Sequence, residues 1–460
     1  MVPPRAIPLY VLERILGYLR ICDELGDTAS GHTELLRMTQ SSCALVSSQW
    51  RELIVPIQFE TLKFSFVSNS HSSTSSTSHS QGKGLEPKYS KDSEKSFPHL
   101  NSHVRTVELR RSDNPDHHAQ HTVRVHPDDL VDVLNSFPRL TTLSATQLFL
   151  RSNGASWLSK VLIPPRLERL DSRTNSTHYM TVFDIVGFLC LFREIREVNL
   201  INFMCSADVD DAKLPHPIRC KVESLHLRNG KGVGAALAAL AGTAATSALQ
   251  VLEIGIIAPN DFPQLKAFFR ILPATLTALT LHIDIYAHDS KRFSEYKDYF
   301  NLFSAAVFRR LRTLRMIFTL NVELWNKEDL SGWTTIARLL SFLTVKLCPL
   351  LNSVRLDIRF KRKIPDDEYN ALLQLPSYDP FLTRSRVCWE QLGNPPAAQI
   401  RAIEDALMRF PTVYFAPWKG EFSEQHKAYI RKWFIRLRTQ GTLRFRAGDC
   451  NVTILEPSLS

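Results

Sequence analysis

The chain has 460 residues, of which 44% are hydrophobic and 22% are charged, a composition typical of a folded protein with more than one structural unit. Its formal net charge is +10, and residues 1–64 hold six basic and seven acidic residues, so the basic excess belongs to the long remainder and favours acidic partners there. The eight cysteines form no CxxC pair, and neither a secretory signal nor a membrane-length apolar run is found, which argues against a disulfide scaffold or a membrane protein and predicts a cytoplasmic location, a nuclear location or both.

The first predicted element is a short helix. Residues 7–19 read IPLYVLERILGYL, and proline suits the first turn of a helix because its missing donor has no partner there. Leucines fall on one side of this helix, and Val11, Ile15 and Tyr18 fall on another, so two sides need cover. A module of about 60 residues has little core of its own, and the helices of a partner are a natural second cover.

A second block follows in residues 43–64, which read CALVSSQWRELIVPIQFETLKF. The Ile-Pro start, the helix VLERILGYL and this block, in that order, resemble the F-box of fungal F-box proteins with repeat-containing tails. The resemblance covers roughly residues 5–64 and implies a small helical bundle that binds the Skp adaptor of cullin-based ubiquitin ligases. It implies that the following residues contact or support the adaptor surface: Ile7, Pro8, Leu12, Ile15, Leu16, Leu19, Leu45, Val46 and Trp50. The alternative is that they only form the core of a small helical domain.

A low-complexity segment comes next. Ten of the thirteen residues in 68–80 are serine or threonine, and such a stretch cannot bury enough apolar area to offset the entropy of ordering. We therefore predict a disordered linker or long loop over residues 65–96, and a second, larger region over residues 97–460.

The larger region repeats. Nine short segments carry apolar residues at positions i, i+3 and often i+5, and five consecutive spacings between them are 27 or 28 residues. Their second apolar positions are Val107, Leu143, Leu170, Val198, Leu225, Leu252, Leu279, Leu314 and Val354. Most segments end with apolar residues two apart, the period of a strand.

Helical patterns lie between these segments, over residues 128–137, 182–192, 234–249 and 334–348. One strand and one helix per repeat predict an α/β solenoid with parallel strands on the concave face and helices outside. The period and the LxxLxL pattern resemble long leucine-rich repeats, in a degenerate form. Longer spacings predict inserted loops around residues 284–308 and 320–350.

The residues between the core positions of the strands should face the concave side. Arginine outnumbers acidic residues there, six to four, and arginine suits bidentate binding of carboxylate or phosphate. The pattern predicts a face for an acidic or phosphorylated protein segment, lined by Arg110, Arg173, His226, Arg228, His282, Arg315, Arg355 and Arg359. The alternative is a solvated polar face without a special partner.

Two further patterns have competing interpretations. Residues 419–446 carry eight basic and two acidic residues; basic residues among aromatics can bind nucleic acid, but an amphipathic helix that caps the solenoid is favoured. NGKGVGAAL, at 229–237, follows a strand and opens a helix, as in a dinucleotide-binding turn, although the 27-residue period already explains it.

No constellation of residues argues for catalysis, and we expect no cofactor and no metal. The leading hypothesis is a non-enzymatic substrate-recognition subunit of an SCF-type cullin ubiquitin ligase. In it, the F-box binds the Skp adaptor and the solenoid binds the substrate. The alternatives are an interaction scaffold outside any ligase and an enzyme that uses the turn from Gly230 to Gly234.

Overall fold

The computed structural model describes the following residues of the chain: 60–66, 101–111, 123–125, 130–131, 134–146, 148–150, 166–173, 182–201, 203, 205, 218–228, 232–256, 261–272, 275–284, 308–321, 336–337, 339–341, 348–361, 397–417 and 421–447. The predicted adaptor-binding residues, from Ile7 to Trp50, lie outside these ranges, as do residues 67–96 of the predicted linker. The chain divides into two compact units, Met1–Asp171 and Ser172–Ser460.

The first unit contains strands that pair in parallel. They are β1 (Thr61–Phe66), β2 (Thr106–Arg111), β3 (Val123–Val125), β4 (Thr142–Thr146), β5 (Leu148–Leu150) and β6 (Arg166–Arg173), the last of which ends in the second unit. Their order is β1-β2-β4-β6, with β1 parallel to β2 and β2 parallel to β4. A separate parallel pair joins β3 and β5.

Strand β1 crosses the predicted boundary between the helical module and the linker. Its sequence, TLKFSF, alternates apolar and polar residues, which is the period of a strand. Thr61 pairs with Thr106 and Phe66 with Arg111. The end of the predicted F-box block, residues 61–64, and the first two residues of the predicted linker therefore belong to a sheet.

The second unit is a parallel sheet whose strands lie side by side in chain order. Its strands are β7 (Glu194–Ile201), β8 (Lys221–Arg228), β9 (Val251–Ile256), β10 (Ala278–Asp284), β11 (Thr313–Asn321), β12 (Ser353–Lys361), β13 (Thr412–Pro417) and β14 (Leu443–Phe445). Every neighbouring pair is parallel. Parallel neighbours need a crossover connection, which helices commonly supply.

The helices of the second unit are α1 (Val182–Cys190), α2 (Val233–Leu240), α3 (Ala244–Ser247), α4 (Phe262–Ile271), α5 (Ala397–Leu407), α6 (Glu424–Trp433) and α7 (Ile435–Thr439). Helix α2 packs against α1 and α4, and α3 packs against β8. Strands in sequence order with helices between them make an α/β solenoid of the leucine-rich-repeat type, as the sequence predicted.

The repeated apolar positions form the core. At all nine predicted segments, the side chains at i, i+3 and i+5 are at most 7% exposed. Leu225, Leu252 and Leu279, which occupy equivalent positions on successive strands, are 3%, 0% and 0% exposed. Burial of one such leucine contributes about 1.5–3 kcal/mol, and the repeat supplies many such residues to the core of each unit.

Two predicted helices differ in the structure. The single helix predicted over 234–249 is two helices, α2 and α3, because the chain turns at Gly242, whose φ is +71°. A residue in this left-handed region ends an α-helix. The helix predicted over 182–192 is confirmed as α1. Within the other two predictions, the described helical residues are 130–131, 134–135, 336–337 and 339–341.

The C-terminal cap is also two helices and not one. α6 and α7 are separated at Phe434, whose ring packs on Phe415 of β13 with centroids 4.9 Å apart. Strand β13 itself follows the repeat pattern at Phe410, Val413 and Phe415, all at most 5% exposed. Strand β13 is therefore a tenth repeat segment, which the LxxLxL pattern does not identify because two of its three core positions are phenylalanine.

Candidate binding face

The strands of the second unit have one apolar and one polar face. On β8, Leu225 and Leu227 are buried in the core, and His226 and Arg228 alternate with them. Because successive side chains of a strand point to opposite faces, His226 and Arg228 lie on the face that the repeat pattern assigned to ligand binding. We call this side of β7–β13 the polar face.

The first cluster on the polar face joins β8 and β9, where His226 lies opposite Glu253. Nδ1 of His226 is 2.7 Å from Oε2 of Glu253. Arg228 donates to the same oxygen from Nε at 3.0 Å and from Nη2 at 2.7 Å. Burial by itself would raise the pKa of the Glu253 carboxyl, but the hydrogen bonds from His226 and Arg228 and the charge of Arg228 outweigh it and lower that pKa to about 2.

The second cluster joins β11 and β12, where Arg315 and Arg355 are register neighbours. Arg315 donates from Nε to Oδ2 of Asp357 at 2.7 Å, and Arg355 donates from Nε to Oδ1 at 2.6 Å. Arg355 also donates to the backbone oxygen of Ala447 at 3.1 Å. Asp357 is 0% exposed; burial raises the pKa of its carboxyl, and the two guanidinium groups oppose this.

The other predicted residues lie outside these clusters. His282 of β10 is buried. Arg173, at the end of β6, is exposed and forms no ion pair within the described ranges. Arg110 and Arg359 lie on β2 and β12, and their side chains are outside the described part of the structure.

The pairing changes the charge of the polar face. Four of the predicted binding residues, His226, Arg228, Arg315 and Arg355, are held by carboxylates of the same face. The sequence prediction counted arginines and expected positive charge, whereas Glu253 and Asp357 offset much of it. What the face offers is a set of polar groups in fixed positions.

One polar pair on this face was not predicted. Asn199 of β7 is 1% exposed and donates from Nδ2 to Oε1 of Glu197 at 2.8 Å. Both residues belong to the repeat segment IREVNL, at the same offsets as Ser224 and His226 of β8. That offset was the signal that could have identified them.

The described part of the glycine-rich turn begins at Gly232, where the backbone is closely packed. Gly232 has φ +72°, and a Cβ there would lie 1.9 Å from the backbone oxygen of Cys205. At the start of α2, the backbone N–H of Gly234 donates to Oδ1 of Asp261 at 2.9 Å, and Asp261 is buried. A carboxylate of the chain thus accepts from the N–H of Gly234, which a bound anion would otherwise use at a helix N-terminus.

The described cysteines are free thiols. Burial raises the pKa of Cys190 and Cys348 to about 11 and that of Cys205 and Cys220 to about 12, so these thiols stay protonated at neutral pH. Within the described residues, no three histidine, cysteine, aspartate or glutamate side chains are grouped to hold a metal ion. In the same part of the chain, no helix combines the length and apolar character needed to span a membrane.

Comparison with known proteins gives similarity to solved structures only. No protein-family model matches the chain, and no curated protein matches it. Among solved structures, the leucine-rich repeat-containing protein LegL7 from Legionella pneumophila aligns with 82% of this chain and 98% of its own chain, at 15% identity and a TM-score of 0.35. The assignment of the repeat architecture rests on the strand order, register and burial described above.

Proposed function

We propose that this chain is a protein-interaction adaptor whose second unit binds another protein on the polar face. The observation that carries the proposal is the Glu253 cluster, in which His226 and Arg228 lie 2.7–3.0 Å from Oε2 of Glu253 and the three side chains remain 15–22% exposed. Groups that are already ordered lose little entropy on binding, so they favour recognition.

The extent of the polar face supports a protein ligand. Strands β7 to β13 are seven neighbours in one sheet, and a strand spacing of about 4.8 Å makes that row about 30 Å wide. An extended peptide covers this distance with about nine residues. Solenoids commonly use their long strand surface in this way.

The finer proposal is that the chain is the substrate-recognition subunit of an SCF-type cullin ubiquitin ligase. Its support is the F-box resemblance of residues 5–64, with Pro8, Leu16 and Trp50 as the main anchors on the Skp adaptor. In that role the chain does no chemistry and holds a substrate near the ubiquitin-charged enzyme, which raises its effective concentration. The alternative is an interaction scaffold that does not engage a ligase.

The test of the ligase role is copurification with the Skp adaptor and cullin. Wild type is compared with a Pro8→Ala/Leu16→Ala/Trp50→Ala variant whose folding is checked by circular dichroism. Capture by wild type and loss in the folded variant are expected. If folded wild type captures neither protein, the ligase role is wrong and the scaffold remains.

The test of the polar face uses a variant that spares the fold. Arg228→Ala/Arg315→Ala leaves His226 on Glu253 and Arg355 on Asp357, so each carboxylate keeps a partner. Arg355 is left intact because it also holds the backbone of Ala447. The control is Arg401→Ala, an exposed residue of α5.

The readout is quantitative mass spectrometry of proteins captured by wild type and both variants. We expect at least one partner to be retained by the Arg401 variant and lost by the Arg228/Arg315 variant. An identical set of partners for all three proteins would exclude the polar face as the binding surface.

We also propose that the bound segment is acidic or phosphorylated. Such a ligand must compete with Glu253 for Arg228. Glu253→Gln removes the competing charge, so the variant should capture an acidic partner more strongly than wild type does. Weaker capture would argue for a ligand that uses the carboxylate itself.

A further inference from the structure

A second surface of this unit lies on the outward side of the C-terminal cap, on helices α6 and α7. Helices α6 and α7 are anchored by apolar side chains, since Ile430, Phe434 and Leu437 are at most 1% exposed. The buried carboxylate of Glu404 in α5 accepts hydrogen bonds from the backbone N–H groups of Arg436 and Leu437, at 2.5 and 3.1 Å. The helices are therefore held from the inside, and their outward side chains are presented in fixed positions.

The exposed side chains of α6 and α7 include an apolar and a cationic residue on each helix. Tyr429, Lys432, Ile435 and Arg438 follow one another at intervals of three residues, and all four are exposed. We call them the cap stripe. Ile435 is 60% exposed and Tyr429 is 37% exposed. Contact of such large apolar side chains with water is unfavourable, so a partner that covers them gains binding free energy.

The cap carries positive charge that the chain does not neutralise. Residues 421–447 contain seven basic and two acidic residues, a difference of +5. Glu424 pairs with Lys427 and Arg431, and Asp405 of α5 pairs with Arg436. Lys432 and Arg438 form no ion pair within the described part of the chain, so the cationic members of the cap stripe are available to a ligand.

The apolar members decide which anionic ligand fits. A nucleic acid would use cations and open aromatic rings on which bases stack. Here Trp433 packs against Tyr429, with ring centroids 6.3 Å apart, and the branched side chain of Ile435 offers no stacking surface. An amphipathic helix with acidic and apolar residues matches both kinds of side chain at once.

We propose that the cap stripe is a docking surface for an acidic amphipathic helix of a partner protein. The acidic residues of that helix pair with Lys432 and Arg438, and its apolar residues cover Tyr429 and Ile435. This proposal does not depend on the F-box resemblance or on the polar face.

The experiment uses the full chain and a fluorescein-labelled helical peptide of about 18 residues, about five turns, with leucine along one face and glutamate along the other. A second peptide carries glutamine in place of glutamate, and a third probe is a single-stranded oligonucleotide. Fluorescence anisotropy is measured at about 0.15 M salt, where weak non-specific attraction is screened.

We expect wild type to bind the leucine/glutamate peptide at least about tenfold more tightly than the glutamine peptide. Lys432→Glu/Arg438→Glu and, separately, Ile435→Ser should each weaken binding about tenfold. The matched control is Arg309→Glu/Arg310→Glu, which makes the same charge change at two exposed residues outside the cap and should bind as wild type does.

Binding of the peptide by the cap variants as tightly as by wild type would overturn the proposal. So would equal weakening in the Arg309/Arg310 control, because it would indicate a general charge effect. Tighter binding of the oligonucleotide than of the peptide, lost in the Lys432/Arg438 variant, would assign the surface to nucleic acid instead.

Discussion

Glu253 is the residue that holds the first polar cluster together. Its pKa is about 2 in the folded chain, below the ordinary value of 4.5, so the ionised carboxyl stabilises the fold above pH 4.5. This contribution is lost as the pH falls from 4.5 through 2. A shift of this size corresponds to about 3 kcal/mol.

Replacement of Glu253 by glutamine should therefore lower the free energy of unfolding by about 3 kcal/mol at neutral pH. The difference between wild type and variant should fall to about half or less at about pH 3. Urea denaturation at both pH values measures it. A difference that does not change with pH would show that ionisation of Glu253 is not its source.

Asp357 is the corresponding residue of the second cluster. It is fully buried and separates the charges of Arg315 and Arg355, which are neighbours in register. Asp357→Asn removes the carboxylate that two adjacent guanidinium groups share, and loss of one partner from a buried ion pair typically lowers the free energy of unfolding by about 3–5 kcal/mol.

The control for this prediction is Asp405→Asn, which breaks the exposed pair with Arg436 and should cost less than about 1 kcal/mol. Thermal and urea denaturation of both variants test the difference. Equal losses would contradict the role assigned to Asp357.

At this scale the sequence predicted where polar residues lie but not what they bind. The offset within each repeat placed His226, Arg228, Arg315 and Arg355 on the polar face. Their carboxylate partners are 25 to 42 residues away for His226, Arg228 and Arg315. Which residues meet across two strands depends on the register of the strands, and the register cannot be read from a count of charges in the sequence.

At the scale of single elements, helix α2 is flanked by two glycines that have similar backbone conformations. Gly232 and Gly242 have nearly equal φ values, +72° and +71°. A Cβ at Gly232 would clash with the backbone of Cys205, whereas a Cβ at Gly242 would meet nothing within 4 Å.

Gly242→Ala should therefore lower the free energy of unfolding only by the cost of placing alanine in the left-handed conformation, about 1–2 kcal/mol. Gly232→Ala should cost clearly more, because backbone atoms must move as well. Urea denaturation compares the two variants directly. Equal costs would mean that the contact with Cys205 relaxes freely.

The elements that the sequence analysis missed have definite causes. Strand β13 uses Phe410 and Phe415 where the other repeats use aliphatic residues, so the LxxLxL pattern did not include it. The single helix predicted over 234–249 relied on the helical pattern of the whole segment, which the left-handed backbone at Gly242 interrupts. Strand β1 was divided between the F-box block and the linker, although TLKFSF has the period of a strand, because its partner β2 lies about 40 residues further along the chain.

For the whole molecule, the sequential order of β7 to β14 predicts that energetic coupling is local. In a solenoid, each repeat contacts mainly its neighbours. Leu252 and Leu279 are register partners on β9 and β10, whereas Leu225 and Val354 lie on β8 and β12, four strands apart.

Replacement of any one of these four residues by alanine should lower the free energy of unfolding by about 2–5 kcal/mol. The Leu225/Val354 double variant should equal the sum of its single variants within about 0.5 kcal/mol, and the Leu252/Leu279 double variant should deviate by about 0.5–3 kcal/mol. Denaturation of the single and double variants provides both cycles. Strong coupling between the distant pair would contradict a nearest-neighbour solenoid.

The repeat period was the part of the whole fold that the sequence predicted best. Apolar residues at a fixed spacing identify a solenoid because one repeat cannot bury its own face. The spacings of 35 and 40 residues between later repeats indicated inserted segments but not their structure, since these segments do not share the repeat pattern.

The contact between Gly234 and Asp261 has a consequence for how this protein can evolve. It spans 27 residues, and so do the pair His226–Glu253 and the hydrogen bond from Thr277 to Gln250. Insertion or deletion of a single codon between β8 and β10 would change the spacing of at least one of these contacts, and of all three between residues 250 and 253, whereas duplication of a complete 27-residue unit would recreate them. Gain and loss of whole repeats is therefore one route by which the length of this region can change with these contacts kept.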